Sequence, residues 1–250
     1  MGEVKRLKNR VALITSGDCS VGRRIASLYA RHGAKVVLCG LSAYRGQNTM
    51  VRLEAAGANA RFFRIDVATP KEVETVVKQT VHSFGQLDIL CNNTSFGYVS
   101  DQASVLDLTE ESWNRIIDMS LEGTVLFTKY ARPFLAQAQA GAVVNLVPYP
   151  GRETYLAQAT KRGALISMTR NVADELASQG VRANLIWPHV PIQGGQSPVR
   201  QAGLAHRVYV MAKRDRNAPR ALARAALYLA CDSSIDVTGA MVVVDADYPS

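Results

Sequence analysis

The stretch Val11-Ala-Leu-Ile-Thr-Ser-Gly-Asp-Cys-Ser-Val-Gly22 decides the fold. Val11 to Ile14 is a solid apolar run, and it ends on Thr15, Ser16 and Gly17, in a turn that contains glycine. Beyond the turn, Ile25, Leu28 and Tyr29 recur at helical spacing until His32-Gly33 stops them. The unit is therefore strand, turn, helix, and it repeats. Val36 to Cys39, Arg61 to Ile65, Leu87 to Cys91, Ala142 to Leu146, Val181 to Trp187 and Met241 to Val244 read as further strands. Helical patterns separate them: Ser42 to Ala56, one opened by Pro70 with Val73, Val76, Val77 and Val81 as its apolar stripe, Thr109 to Asp118, Leu121 to Ala138, Leu156 to Ser178 and Ala218 to Ala230. Asn92-Asn93-Thr94-Ser95 reads as a turn. Strands filled with Val, Leu and Ile, each followed by a helix, imply a parallel sheet covered on both faces. The expectation is an α/β, doubly wound sheet of about seven strands, in a single domain over residues 1–250. Residues 188–217, rich in Pro, Gly, Gln and Arg, read as a loop with one or two short helices, and 194–217 as a lid-like segment.

Composition narrows the class. With 48% hydrophobic and 20% charged residues, the 250-residue chain has enough apolar material for a core and no disorder signature. Its formal charge of +8 invites a nucleic-acid reading, but the 29 Lys and Arg are spread along the chain with no interleaved aromatics, so no nucleic-acid partner is expected. The charge favours instead an anionic small molecule or partner. Cys19, Cys39, Cys91 and Cys231 stand far apart without metal spacing, which points to reduced thiols, a cytoplasmic location and no metal. No apolar run approaches the length of a membrane span, and none near the N-terminus is long enough for a signal peptide.

The motifs now carry a resemblance. V-A-L-I-T-S-G-D-C-S-V-G at 11–22, I-D-V at 65–67, D-I-L-C-N-N at 88–93, the run from Lys161 to Leu176, V-R-A-N at 181–184 and V-T-G-A-M-V-V-V-D at the end resemble the short-chain dehydrogenase/reductase family over nearly the whole chain. The resemblance implies a Rossmann-type fold binding NAD or NADP. It also implies carbonyl/alcohol chemistry by a Ser, Tyr and Lys trio with a supporting Asn. Residues at the cofactor positions are Ser16, Gly17, Ser20, Val21 and Gly22 of the first turn, Asp66 and Val67 for adenine, Asn93, and Lys161. Asp66 reads equally as a residue that caps its own strand end.

The chain departs from the pattern at decisive points. Of the family's T-G-x-x-x-G-x-G glycines only Gly22 remains, with Ser16 and Ser20 at the others; glycine there allows a tight turn and close approach to pyrophosphate. The free N–H groups of the helix start do not depend on those side chains. Read instead as a phosphate loop of the Walker type, Gly17 to Arg24 puts Arg23-Arg24 where Lys and Ser or Thr are required, which excludes it. Cys39-Gly40-Leu41 offers neither an acid for a ribose 2′-hydroxyl nor an Arg for a 2′-phosphate, so NAD and NADP stay undistinguished. Ser120 takes the place of the supporting Asn, Pro148 that of the Ser, and Ala157 that of the Tyr. Lys161 alone remains. Tyr155 precedes it by six residues, about 240° round a regular helix and roughly 9 Å along it, so it reaches Lys161 only by folding back from a loop.

Ser95, Phe96, Tyr98, Tyr149, Arg152, Glu153, Tyr155, Trp187 and His189 are expected to gather at the carboxyl edge of the sheet. Lys161, Tyr155, His189 and Ser120 are the candidate catalytic groups; His189 reads as an acid or base near neutral pH or as a loop histidine bonded to backbone, and Lys161 as a desolvated amine or as a residue tied to a ribose or to solvent. Arg200, His206, Arg207, Lys213, Arg214 and Arg216 read either as a basic cover over the pocket or as a solvated helix face. Three functions follow. The first is a small-molecule enzyme for a non-redox step such as cyclisation, isomerisation or elimination. The second is an NAD(P)-dependent oxidoreductase with a relocated Tyr155, and the third a non-catalytic subunit of an active relative. The small residues Ala157, Ala159, Gly163 and Ala164 suggest homo-oligomer (dimer or tetramer) or hetero-oligomer packing through the long helices.

Overall fold

Strands pair where their apolar faces can be covered twice, and the computed structural model arranges them accordingly; it describes residues 4–93, 106–147, 156–189, 207–211 and 218–245. In chain order the strands are β1 (Val11–Ile14), β2 (Lys35–Gly40), β3 (Ala60–Arg64), β4 (Ile89–Asn93), β5 (Ala142–Leu146), β6 (Arg182–His189), β7 (Arg207–Met211) and β8 (Met241–Asp245). The helices are α1 (Ser20–Arg31), α2 (Ala43–Ala55), α3 (Pro70–Phe84), α4 (Glu110–Ile117), α5 (Gly123–Leu135), α6 (Leu156–Ala177) and α7 (Ala218–Ala230). The sheet order is β3-β2-β1-β4-β5-β6-β8-β7, with every pairing parallel. This is the expected doubly wound α/β sheet with one more strand.

The alternation of each strand sorts its side chains into two cores. Ile14, Val36, Leu38, Ile89, Cys91, Val144, Leu146 and Val242 pack with Ile25 and Tyr29 of α1, Leu53 of α2 and Leu222, Ala226 and Leu229 of α7. Leu13, Val37, Leu90, Val143 and Ala183 face the other way, onto Val73 and Val77 of α3, Phe127 and Ala131 of α5 and Ala173 and Leu176 of α6. Tyr29 ties the first layer together, its hydroxyl donating to the Ala226 carbonyl at 2.9 Å.

Four boundaries differ from the sequence reading. β4 runs through Asn92 and Asn93 rather than ending at Cys91, because both asparagines find buried partners. β6 continues through Pro188 to His189, since its edge pairs with β8 as far as Asp245. The two helices expected over Thr109 to Ala138 form one run, joined by a π-helical turn at Asp118–Glu122 that carries Ser120. Part of the lid-like segment is β7, whose V-Y-V core favours extended backbone and lies beside β8. The rest of that segment falls outside the described residues.

A polar ladder crosses the second core. Asn92 Nδ2 donates to Asn145 Oδ1 at 2.9 Å and, at 3.4 Å, to Thr128 Oγ1 of α5. Asn145 Nδ2 donates to Thr169 Oγ1 of α6 at 2.9 Å, and that hydroxyl donates to the Leu165 carbonyl. All four residues are buried. Asn145→Ala removes the middle rung, leaving Asn92 Nδ2 only its 3.4 Å bond to Thr128 and the Thr169 hydroxyl without its donor, so urea denaturation is expected to report a loss of about 2–3 kcal/mol.

Candidate functional site

The carboxyl ends of β1, β2 and β4 meet at the turn before α1. Thr15 and Asn93 exchange bonds there: Asn93 N donates to Thr15 Oγ1 at 2.9 Å, and Thr15 Oγ1 donates to the Asn93 carbonyl at 3.4 Å. Asn93 Nδ2 then holds the turn, donating to the Ser16 carbonyl at 3.4 Å and to Cys19 Sγ at 3.2 Å. Gly17 N donates to the Cys39 carbonyl at 2.9 Å, fastening the same turn to β2. Asn93 is fully buried, so its side chain acts on the turn from beneath.

Three features make this turn a cradle. Cys19 caps α1, its sulfur accepting from Gly22 N at 3.3 Å. The N–H groups of Ser20 and Val21 make no hydrogen bond among the described residues, so the helix start presents open donors and its positive dipole end. Gly22 packs against the Ser16 carbonyl so closely that any Cβ would collide with it. Glycine is obligatory at that position of the turn. Ser16 adopts the left-handed conformation that the missing glycine would take, at φ 47°, and its Oγ is sealed without a partner. Left-handed backbone and an orphaned hydroxyl each cost about 1 kcal/mol or more for serine.

Asp18, which the sequence reading did not single out, lies within the turn and is 6% exposed. Its Oδ2 accepts from Ser42 N at 3.1 Å and from the Arg45 guanidinium at 3.2 Å. The other oxygen lies against Gly40, in the space a Cβ there would occupy. Its only sequence signal was a glycine at the end of β2. At the end of β3, Asp66 is exposed and accepts from Ala68 N at 3.1 Å, the strand-end turn that was one of its two readings. Val67 is buried beneath Gly123.

Lys161 stands apart from this turn, on α6. Lys161, Leu165, Thr169 and Ala173 follow one another at four-residue steps along the buried face of the helix, each no more than 3% exposed. Lys161 is thus held at the start of an inward stripe. Burial, with the charge of Arg162 adding to it, brings its ammonium down from 10.5 to about 8. Among the described residues it has no ion pair or hydrogen bond. Arg162 lies over the Trp187 ring at 5.8 Å. The backbones of Ser120 and His189 are placed in the π turn and at the end of β6, but their side chains lie outside the described residues. Ser95, Phe96, Tyr98, Pro148, Tyr149, Arg152, Glu153 and Tyr155 lie wholly outside them.

Basic charge gathers elsewhere as well. A cleft of about 700 Å³ between α1 and α7 is lined by Arg6, Arg24, Arg31, Arg220 and Arg224. The cysteines are free, and burial pushes the Cys39 and Cys91 thiols far up, so neither is a nucleophile. Among the described residues no helix is long and apolar enough to cross a membrane.

Comparison with known proteins gives a consistent result. A family model described as enoyl-(acyl carrier protein) reductase matches residues 16–248. Short-chain dehydrogenase reductase 5 of Arabidopsis thaliana is 31% identical over 255 residues, covering 98% of this chain and 96% of the relative. The 2-(S)-hydroxypropyl-CoM dehydrogenase 3 of Xanthobacter autotrophicus is 30% identical over 250 residues, covering 96% of each chain. A solved short-chain dehydrogenase/reductase structure from Burkholderia xenovorans superposes with a TM-score of 0.80 at 29% identity, over 96% of this chain and 97% of the other.

Two expectations follow from the geometry. Ser16→Gly relieves the left-handed serine and removes the sealed hydroxyl; after the added unfolded-state entropy of glycine, it is expected to stabilise by about 1 kcal/mol, read as a melting temperature raised by roughly 2–4 °C. Lys161 has a lower pKa folded than unfolded, so between about pH 8 and 10.5 the unfolded chain binds more protons and stability rises with pH. Urea midpoints from pH 7.5 to 10 are expected to show that rise in the wild type, and Lys161→Met to lose that component of it.

Proposed function

The chain belongs to the short-chain dehydrogenase/reductase family, and from that premise we propose that it is a nicotinamide-dinucleotide-dependent oxidoreductase acting on a carbonyl or alcohol. The observation that carries the reading is the turn before α1. Its open Ser20 and Val21 N–H groups, and Gly22 pressed on the Ser16 carbonyl, fit a pyrophosphate even though two family glycines are absent. The names of the relatives favour redox chemistry over the cyclisation, isomerisation or elimination suggested by the missing trio.

A bound nicotinamide would supply hydride exchange. The protein's part is binding, orientation and proton handling. Ser20 and Val21 hold the pyrophosphate, and Asn93 keeps the turn in shape from below. Lys161, with a pKa near 8, is charged or neutral within the working range of pH. Charged, it favours the phenolate of a neighbouring tyrosine; neutral, it accepts a proton. Tyr155 is the proton donor this reading assigns, because Ala157 and Pro148 stand where the family keeps its Tyr and Ser.

The same two substitutions are what support the non-redox reading, in which Lys161 and His189 act on a bound small molecule. Assembly also belongs to the proposal: Val125 of α5 and Leu156 of α6 are 49% and 42% exposed, apolar surface that a second copy or an active relative would cover.

Titration with NADH and NADPH, followed by tryptophan fluorescence, separates the readings. Saturable binding of either nucleotide, with carbonyl-dependent oxidation that Lys161→Met abolishes, is expected. Binding of neither at millimolar concentration overturns the redox reading.

A further inference from the structure

In doubly wound folds an acidic residue at the end of the second strand, about 20 residues past the glycine turn, accepts from the ribose 2′-hydroxyl of NAD. Here that strand ends on Gly40. We infer that Asp18, reaching across from the turn after β1, supplies the carboxylate in place of residue 40, and that the protein therefore selects dinucleotides with a free 2′-hydroxyl over those with a 2′-phosphate. This rests on the dinucleotide-binding reading above.

The geometry is one of substitution. The Asp18 carboxylate oxygen occupies the volume into which a side chain on Gly40 would project. Two carboxylates cannot share that volume, so an aspartate at 18 requires a glycine at 40. The carboxylate is also fixed: Ser42 N and Arg45 both donate to Oδ2, which leaves Oδ1 on the Gly40 side. Asp18 is two residues before Ser20, whose open N–H marks the pyrophosphate end of the cradle. The same group thus lies between the phosphate site and the end of β2, on the path to the adenosine ribose.

A 2′-phosphate there would face a buried carboxylate, and like charges so placed repel strongly. Arg45 is the nearby cation that would offset this, but it already pairs with Asp18 at 3.2 Å. Removing the Asp18 charge releases that guanidinium toward a phosphate.

The test is binding, measured by calorimetry on the full-length protein with NADH and NADPH. Wild type is expected to bind NADH more tightly, by at least roughly tenfold. Asp18→Asn keeps the side-chain shape and the acceptor for Ser42 N; it should reduce the preference about tenfold or invert it. The double variant Asp18→Ser with Gly40→Asp moves the carboxylate back onto β2 and should restore NADH preference. Equal or tighter NADPH binding by the wild type overturns the inference, as does an unchanged ratio in Asp18→Asn, the result a purely structural carboxylate would give. Binding of neither nucleotide overturns this inference together with the reading it rests on, whereas binding without discrimination overturns this inference alone.

Discussion

β4 ends on two consecutive asparagines in a sheet covered on both faces, and strand geometry sends one to each side. Buried amide N–H groups are costly unless they find acceptors. Asn92 Nδ2 donates in the α5 and α6 layer to Thr128 and Asn145, and Asn93 Nδ2 donates in the turn before α1 to Ser16 and Cys19. The two halves of the molecule are therefore keyed to one dipeptide. Displacing it misplaces the turn on one side and the helix bearing Lys161 on the other, since Thr169 and Lys161 share a helical stripe.

That arrangement explains why a turn short of glycine still closes. Ser16 is held in a conformation unfavourable to serine by bonds on every side: its carbonyl receives Asn93 Nδ2 and Cys19 N, and the next residue is tied to β2. Strain persists where neighbouring contacts over-determine the backbone. Gly22 is different in kind, because no bond compensates a Cβ driven into a carbonyl oxygen.

The fold was legible because long apolar runs and helical stripes are redundant signals; losing a residue from Val36 to Cys39 would not change the reading. What misled were polar residues at strand ends. Asn92 and Asn93 read as a turn because asparagine favours turns, and only their cross-strand partners, remote in sequence, turn them into strand. Of the site, the cradle residues 16–22 and Asn93 were found through motif order. The depth of Lys161 follows from its phase with Leu165, Thr169 and Ala173, a periodicity present in the sequence. Asp18 was invisible for a plainer reason: its significance lies in touching Gly40, and a glycine advertises nothing about what fills the space beside it.

The sheet order carries a consequence for how the chain reaches this structure. β8, drawn from residues 241–245, is an interior strand, paired with β6 on one side and β7 on the other. β7 therefore has no strand to join until residues 241–245, some 30 residues further on, have been made, and β6 keeps a bare edge until the same moment. Such late, non-local closure is slow and exposes strand edges to other chains. During synthesis, the half built around β1 and β4 can assemble early, while the far edge waits for β8.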